Sequence, residues 1–150
     1  MSKGSMLIPS LRYKDAHAAI AWLERALGMR VHALHVGKGG GVDHAELTLG
    51  TGMVMLGSAS NASPLKPLYA MPEEIGGRVT SPVYVVVPDC EPVWTSARAA
   101  CADIVMELRE MEYGGKAFTA RDPEGYLWSV GEYDPWKAVE TATGEQSGYE

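Results

Sequence analysis

TARDPEGYLWSV, residues 119–130, places β-prone runs on either side of an Asp122-Pro123-Glu124-Gly125 turn. It closes the second of two copies of one pattern, set about 74 residues apart. Upstream of it, that copy runs from Pro82 through VYVVVPD, the helix-like EPVWTSARAACA and Val105 to KAFTA. The first copy runs from Leu7 through Tyr13, Asp15, AHAAIAWLERALG and Val31 to HAELTLG and GMVMLG. Overlaid, Asp15 falls on Asp89, Ala26 on Ala100, Gly28 on Ala102 and Val31 on Val105, and Gly52 meets Gly125 after a one-residue slip. The repeated unit reads strand, helix, strand, strand, strand, which predicts an α+β fold of two βαβββ repeats.

Each helix carries its own start and stop signals. Asp15 is placed to cap a helix whose Ala19, Ile20, Leu23, Ala26 and Leu27 form one apolar stripe, and Gly28 stops it. Asp89 repeats the cap, Val93, Ala97 and Ala100 repeat the stripe, and Cys101-Ala102 replace the glycine. A single unit would leave one sheet face unpaired, so the two are expected to share one compact domain. The predicted divisions are residues 1–57 for the first module, 58–80 for a linker or lid, 81–136 for the second module and 137–150 for a flexible tail. The linker SASNASPLKPLYAMPEEIGGRVTS is rich in Ser, Pro and Gly and shows no sustained period.

Composition removes several classes of function. With 46% hydrophobic and 21% charged residues, 150 residues suffice for a sizeable core. No apolar run approaches the roughly 20 residues of a membrane span, so no membrane partner is predicted. A net charge of -6 argues against nucleic acid, which needs clustered Lys and Arg, and slightly favours a cationic small molecule over an anionic one. MSKGSMLIPSLRYK lacks the apolar centre of a secretory signal, which predicts a cytoplasmic location. Cys90 and Cys101 form no metal or redox motif. Cys101, set among Ala99, Ala100 and Ala102, is expected to be a buried, inert thiol.

The opening LRYKDAHAAIAWLERALGM, the HAELTLGTGMVMLG hairpin and above all YGGKAFTARDPEGYLW resemble the vicinal oxygen chelate superfamily, over about residues 6–133. That superfamily includes glyoxalase I, extradiol dioxygenases and bleomycin resistance proteins. The resemblance implies a curved mixed-sheet half-barrel cup with helices on its outer face, usually completed in a homodimer. It also implies one divalent metal held by His, Gln or Glu on the first and last strands of both modules. Counted from the capping aspartates and the turn glycines, those positions fall at or beside Ile8, Pro82, Leu56 and Ser129. Neither these nor Pro9, Ser10, Ser81, Met55, Gly57, Trp128 and Val130 supply an imidazole or carboxylate, and Glu132 lies three residues beyond. No metal and no other cofactor is therefore expected.

Strand alternation assigns the cup lining independently of any family. Ala45, Leu47 and Leu49 should face the helix, which turns His44, Glu46 and Thr48 into the cup. Leu7, Pro9, Leu11 and Tyr13 take the helix side, leaving Ile8, Ser10 and Arg12. In the second unit Ser81, Val83, Val85 and Val87 go to the core, and Pro82, Tyr84 and Val86 join Thr119, Leu127 and Ser129 in the cup. Three readings of His44 and Glu46 stand open: a solvated rim pair, ligand contacts, or an acid–base or metal pair. Arg12 and Glu46 are candidates for an ion pair across strands.

Tyr113, beside Gly114-Gly115 in the loop before the turn, is a candidate ligand contact, because a comparable loop lies close to drug in bleomycin-resistance-like relatives. Trp22 and Trp94 are assigned to core or dimer packing, Trp128 to the core, and Met53 and Met55 to flexible core filling. The candidate ligand-binding set is thus Arg12, His44, Glu46, Thr48, Tyr84, Tyr113, Thr119 and Ser129, with no catalytic and no metal residue assigned. The expected function is metal-free binding of a small organic molecule, such as an antibiotic, by a homodimer that sequesters it. The rivals are a glyoxalase- or dioxygenase-type enzyme with displaced catalytic residues, and an interaction module with no ligand.

Overall fold

The computed structural model describes residues 3–137, so all but the first residue of the predicted tail lies outside the described residues. The first module comprises β1 (Ser10–Tyr13), α1 (Ala16–Leu27), β2 (Arg30–Val36), β3 (Val42–Leu49) and β4 (Gly52–Ser58). The second comprises β5 (Val83–Val86), α2 (Cys90–Ala99), β6 (Asp103–Glu110), β7 (Lys116–Arg121) and β8 (Leu127–Gly131). Each forms a four-stranded mixed sheet, ordered β1-β4-β3-β2 and β5-β8-β7-β6, whose first strand runs parallel to its last. Ser10 pairs with Met55 and Tyr84 with Ser129, so 10 + 74 = 84 and 55 + 74 = 129 hold on both strands. The repeat in the sequence is therefore a repeat in the pairing of first and last strands, while the hairpin before the last strand slips by one residue: Met55 faces Glu46, but Ser129 faces Thr119 and not Ala120.

The caps act as read. Asp15 Oδ1 accepts the Ala18 N–H at 3.0 Å, and Asp89 Oδ1 accepts that of Glu91 at 3.0 Å. Gly28 ends α1 in the left-handed region at φ 73°. After α2 the same backbone state falls on Cys101, at φ 58°. This corrects the reading of that cysteine: Cys101 is exposed at the helix end, whereas Cys90 is the buried thiol. Burial, then the Glu132 charge, pushes the Cys90 thiol up to about 11.

One hydrophobic core serves both modules. Tyr13, Trp22, Leu23, Leu47 and Leu56 from the first join Val85, Cys90, Phe118, Trp128 and Val130 from the second. α1 packs on α2, and Ser96 Oγ donates to the Ala26 carbonyl at 2.8 Å. Trp94 lies edge-on to Phe118 with centroids 5.3 Å apart. Met53 and Met55 do not fill this core as predicted: alternation in β4 sends Val54 and Leu56 inward and leaves both methionines half-buried on the opposite face.

The DPEG turn joins the halves. Asp122, only 5% exposed, accepts the Tyr13 hydroxyl at 2.6 Å and Trp128 Nε1–H at 3.1 Å on one oxygen. Its other oxygen accepts the N–H groups of Glu124 and Tyr126 at 3.0 and 3.1 Å. Burial pushes its carboxyl up, opposed by these four donors, and burial with the Asp122 charge lifts the Tyr13 phenol well above its ordinary range. Glu124 accepts the N–H groups of Lys14 and Asp15 at 2.7 and 2.9 Å, and the Tyr126 hydroxyl donates to the Arg12 carbonyl at 2.8 Å. The turn of the second module thus closes on the β1–α1 corner of the first. Gly125 is required there, at φ 95° with a would-be Cβ 3.2 Å from buried Pro72.

Pro72 belongs to the linker, which contains two 3₁₀ turns, Lys66–Leu68 and Pro72–Ile75. Among the described residues no strand of one sheet is hydrogen-bonded to a strand of the other. The first strands β1 and β5 line a common cleft with the linker and Tyr126.

Candidate functional site

The eight predicted residues divide among four places. Arg12 and Tyr84 face one cleft of about 640 Å³, bounded by β1, β5 and the linker. His44, Glu46 and Thr48 lie on the open face of the first sheet, and Thr119 and Ser129 on that of the second, outside this cleft. Tyr113 is more than half exposed in its loop and stands edge-on to Tyr133 with centroids 5.3 Å apart.

The linker builds the cleft by carrying Tyr69 over β1. Arg12 stacks its guanidinium 5.0 Å from the Tyr69 ring centre. This replaces the expected ion pair with Glu46, because that carboxylate is taken by imidazoles. Tyr84 and Tyr126 add ring surface, and their hydroxyls already donate to the carbonyls of Tyr133 and Arg12, each at 2.8 Å. Arg78 reaches the cleft from the linker's end, its Nε–H on the Ile75 carbonyl at 3.2 Å. No Asp or Glu lines this cleft.

On the first sheet Glu46 accepts a hydrogen bond from His44 Nε2 at 2.8 Å, and His32 Nε2 stands 4.0 Å from its other oxygen. His35 stacks on His44 with centroids 6.2 Å apart. The His44 hydrogen bond, opposed by partial desolvation and aided by the charges of His44, His32 and His35, holds the Glu46 carboxyl below its usual range. A β-bulge brings these groups together: Val31 pairs with Leu47 but Ala33 with Glu46, so the extra residue His32 joins the face of His35. Simple alternation would put residues 32 and 35 on opposite faces, which is why the sequence showed only His44 and Glu46.

On the second sheet the equivalent row is hydroxylic, with Thr119 and Ser129 hydrogen-bonded at 2.8 Å. The four positions implied by the resemblance are now located in the fold. Ile8 and Pro82 lie exposed just before β1 and β5, Ser129 faces Tyr84 across the second sheet, and Leu56 is 2% exposed in the core. These side chains do not fit a divalent metal, which takes imidazole, thiolate or carboxylate. Glu132 is held elsewhere, accepting the N–H groups of Cys90 and Lys116 at 2.9 and 3.0 Å, with its carboxyl lowered by both. Among the described residues no three His, Cys, Asp or Glu side chains stand where they would hold a metal ion.

Tyr69 and Arg78 went unassigned in the sequence because their linker has no period to orient them. The only available sign was an aromatic residue and an arginine retained in a Ser/Pro/Gly-rich segment.

Two four-stranded mixed sheets of βαβββ order, with a DPEG turn locking them together, define a glyoxalase-type fold. The chain matches the model of the Glyoxalase/Bleomycin resistance protein/Dioxygenase superfamily over residues 6–130, and it belongs to that superfamily. Among solved structures it is similar to TioX from Micromonospora sp. ML1, at 30% identity over 87% of this chain and 100% of that one, with a TM-score of 0.70. It also resembles UcmS2, at 14% identity over 87% and 98% of the two chains, with a TM-score of 0.66. Glyoxalase I from Zea mays aligns at 18% identity over 85% of this chain and 44% of that one, with a TM-score of 0.65. The last two are likenesses of fold alone. No curated protein sequence matches. Among the described residues no helix is long and apolar enough to cross a membrane.

Proposed function

We propose that the protein binds a small organic molecule without a metal, in the cleft between β1, β5 and the linker. The observation that carries this reading is the cleft itself: about 640 Å³, walled by tyrosine rings around Arg12 and Arg78. That volume and lining suit one ligand of drug size. The absence of imidazole and carboxylate from Ile8, Pro82, Leu56 and Ser129, the positions implied by the resemblance, supports binding without metal chemistry. Sequestration of an antibiotic or similar compound needs only mass action.

A second copy of the chain is part of this reading. Val31, Leu34 and Val36 of β2 and Val105 of β6 are 40%, 43%, 53% and 48% exposed on edge strands, apolar surface that a homodimer would cover. Free Cys90 and Cys101 fit a reducing compartment such as the cytoplasm.

The test is metal loading of stripped protein with Ni, Mn, Fe or Zn, with calorimetry as the readout. No binding in the micromolar range is expected, and one metal per chain at that affinity would overturn the metal-free reading. A second reading, acid–base catalysis, draws on the 2.8 Å contact between His44 and Glu46. It requires a turnover that the folded Glu46→Gln variant loses.

A further inference from the structure

Resting on the cleft reading above, we infer that the ligand is an organic monoanion with a planar aromatic body, its acidic group received by Arg12 and Arg78. The inference starts from charge. The chain carries a net charge of -6, yet the lining of this cleft holds two arginines and no carboxylate. Among the described residues neither Arg12 nor Arg78 forms an ion pair: Arg12 lies on the Tyr69 ring and Arg78 on the Ile75 carbonyl. Elsewhere Lys14, Lys116 and Arg121 are matched to Glu73, Glu91 and Asp103, while among the described residues Arg25, Arg30 and Arg109, like the cleft arginines, form no ion pair but stand outside this cleft. Two guanidiniums without an ion pair in one walled cleft draw an anion against the sign of the whole molecule, with Glu74 set outside the cleft in the adjoining pocket that Arg12 and Tyr69 also line. The weak preference for a cationic partner drawn from net charge is thereby reversed at the site.

The chemistry of the lining narrows the ligand further. A guanidinium stacked on a ring is already oriented, and its free edge offers paired N–H donors that match a carboxylate or sulfonate. The hydroxyls of Tyr84 and Tyr126 are spent on backbone carbonyls, so these residues present rings rather than donors. Pro9, Pro72 and Pro82 add further apolar wall. The cleft therefore offers flat apolar surface with cationic donors set into it, which suits an aromatic acid. A polyphosphate would need more cations than two.

The experiment compares 2-naphthoate with 2-naphthamide, matched in shape and different in charge, on the full chain. Calorimetry reads affinity, and 15N spectra read the Arg12 and Arg78 Nε–H and the Tyr69 amide. Naphthoate is expected to bind about tenfold or more tightly than the amide. R78Q and R12Q should each remove about tenfold from naphthoate and leave the amide unchanged, while Lys38→Gln, in the β2–β3 turn, should change neither. Should R12Q fail to fold, R78Q decides alone, since its side chain touches only a backbone carbonyl. Equal affinities, with Tyr69 shifting for both probes, would overturn the anion inference and leave the cleft reading standing. Naphthoate binding that ignores both arginine variants would overturn it as well. No binding of either probe at millimolar concentration would overturn both.

Discussion

The two modules share the register of their first and last strands and differ in what they bury. Ser10–Met55 and Tyr84–Ser129 occupy the same place in the same register, and both helices begin at a capping aspartate. Yet α1 buries seven of its twelve residues, among them Trp22 and Leu23, whereas α2 buries only Cys90 and Ala97 of ten. The outward faces diverge too, with imidazoles and a carboxylate on the first sheet and paired hydroxyls on the second. The parallel pairing of first and last strand is the same in both modules, whereas the hairpin registers differ by a residue. Side chains are free to drift wherever the partner surface changes, so one module has become the anchor of the core and the other the supplier of the clamp.

That division is tested most severely at the clamp. Replacing Asp122 by Ala leaves the Tyr13 hydroxyl, Trp128 Nε1–H and the amides of Glu124 and Tyr126 without their acceptor. Loss of about 3–5 kcal/mol is expected in urea unfolding, the range for an uncompensated buried network. An effect below about 1 kcal/mol would mean that the modules do not depend on this turn.

Next in size is the asymmetry of the helices. Leu23, fully buried, should cost about 3 kcal/mol when cut to Ala, by lost transfer energy and the cavity left behind. Val93, at the matching stripe of α2 and only partly buried, should cost about 1 kcal/mol. Equal costs by chemical denaturation would erase the claim that α1 anchors the core.

The helix ends differ by about 1 kcal/mol in opposite directions. Gly28→Ala forces a Cβ into φ 73° and should destabilise by about 1 kcal/mol, whereas Cys101→Gly frees φ 58° of that strain and should stabilise by up to that amount. Thermal melts of both variants in reducing buffer provide the measurement. A destabilised Cys101→Gly would show that the thiol contributes more than its backbone costs.

These elements also mark the limits of what the chain spells out. Caps, apolar stripes and the DPEG turn are local, so their spacing was legible, and alternation correctly turned Glu46 and Ser129 away from the core. The bulge at His32 was not, because an extra residue in β2 shows only against its partner β3. Nor was the Arg12–Tyr69 stack, which joins a strand to an aperiodic linker 57 residues away by sequence number, 69 − 12 = 57. The exposure of Cys101 was hidden by its alanine neighbours, which suggest a packed slot until the helix is seen to stop at Ala99.

The finest contrast is between two carboxylates of lowered pKa. Glu46 is held mainly by the His44 side chain, Glu132 by the backbone amides of Cys90 and Lys116. A folded value below the unfolded one gives stability that is present above the ordinary Glu range and fades as pH falls through the folded value. Wild type should therefore exceed both Glu46→Gln and Glu132→Gln in stability at pH 6, with each gap closing on acidification below about pH 5. The two part company in a His44→Ala background. There the Glu46→Gln gap should vanish, because its main donor has gone, while the Glu132→Gln gap should persist, because amides on α2 and β7 do not depend on the first sheet. Urea titrations from pH 6 to pH 3 in both backgrounds read this directly. A Glu46 gap that survived the loss of His44 would assign its lowered pKa to His32 and His35, and with it the organisation of that face to the bulge.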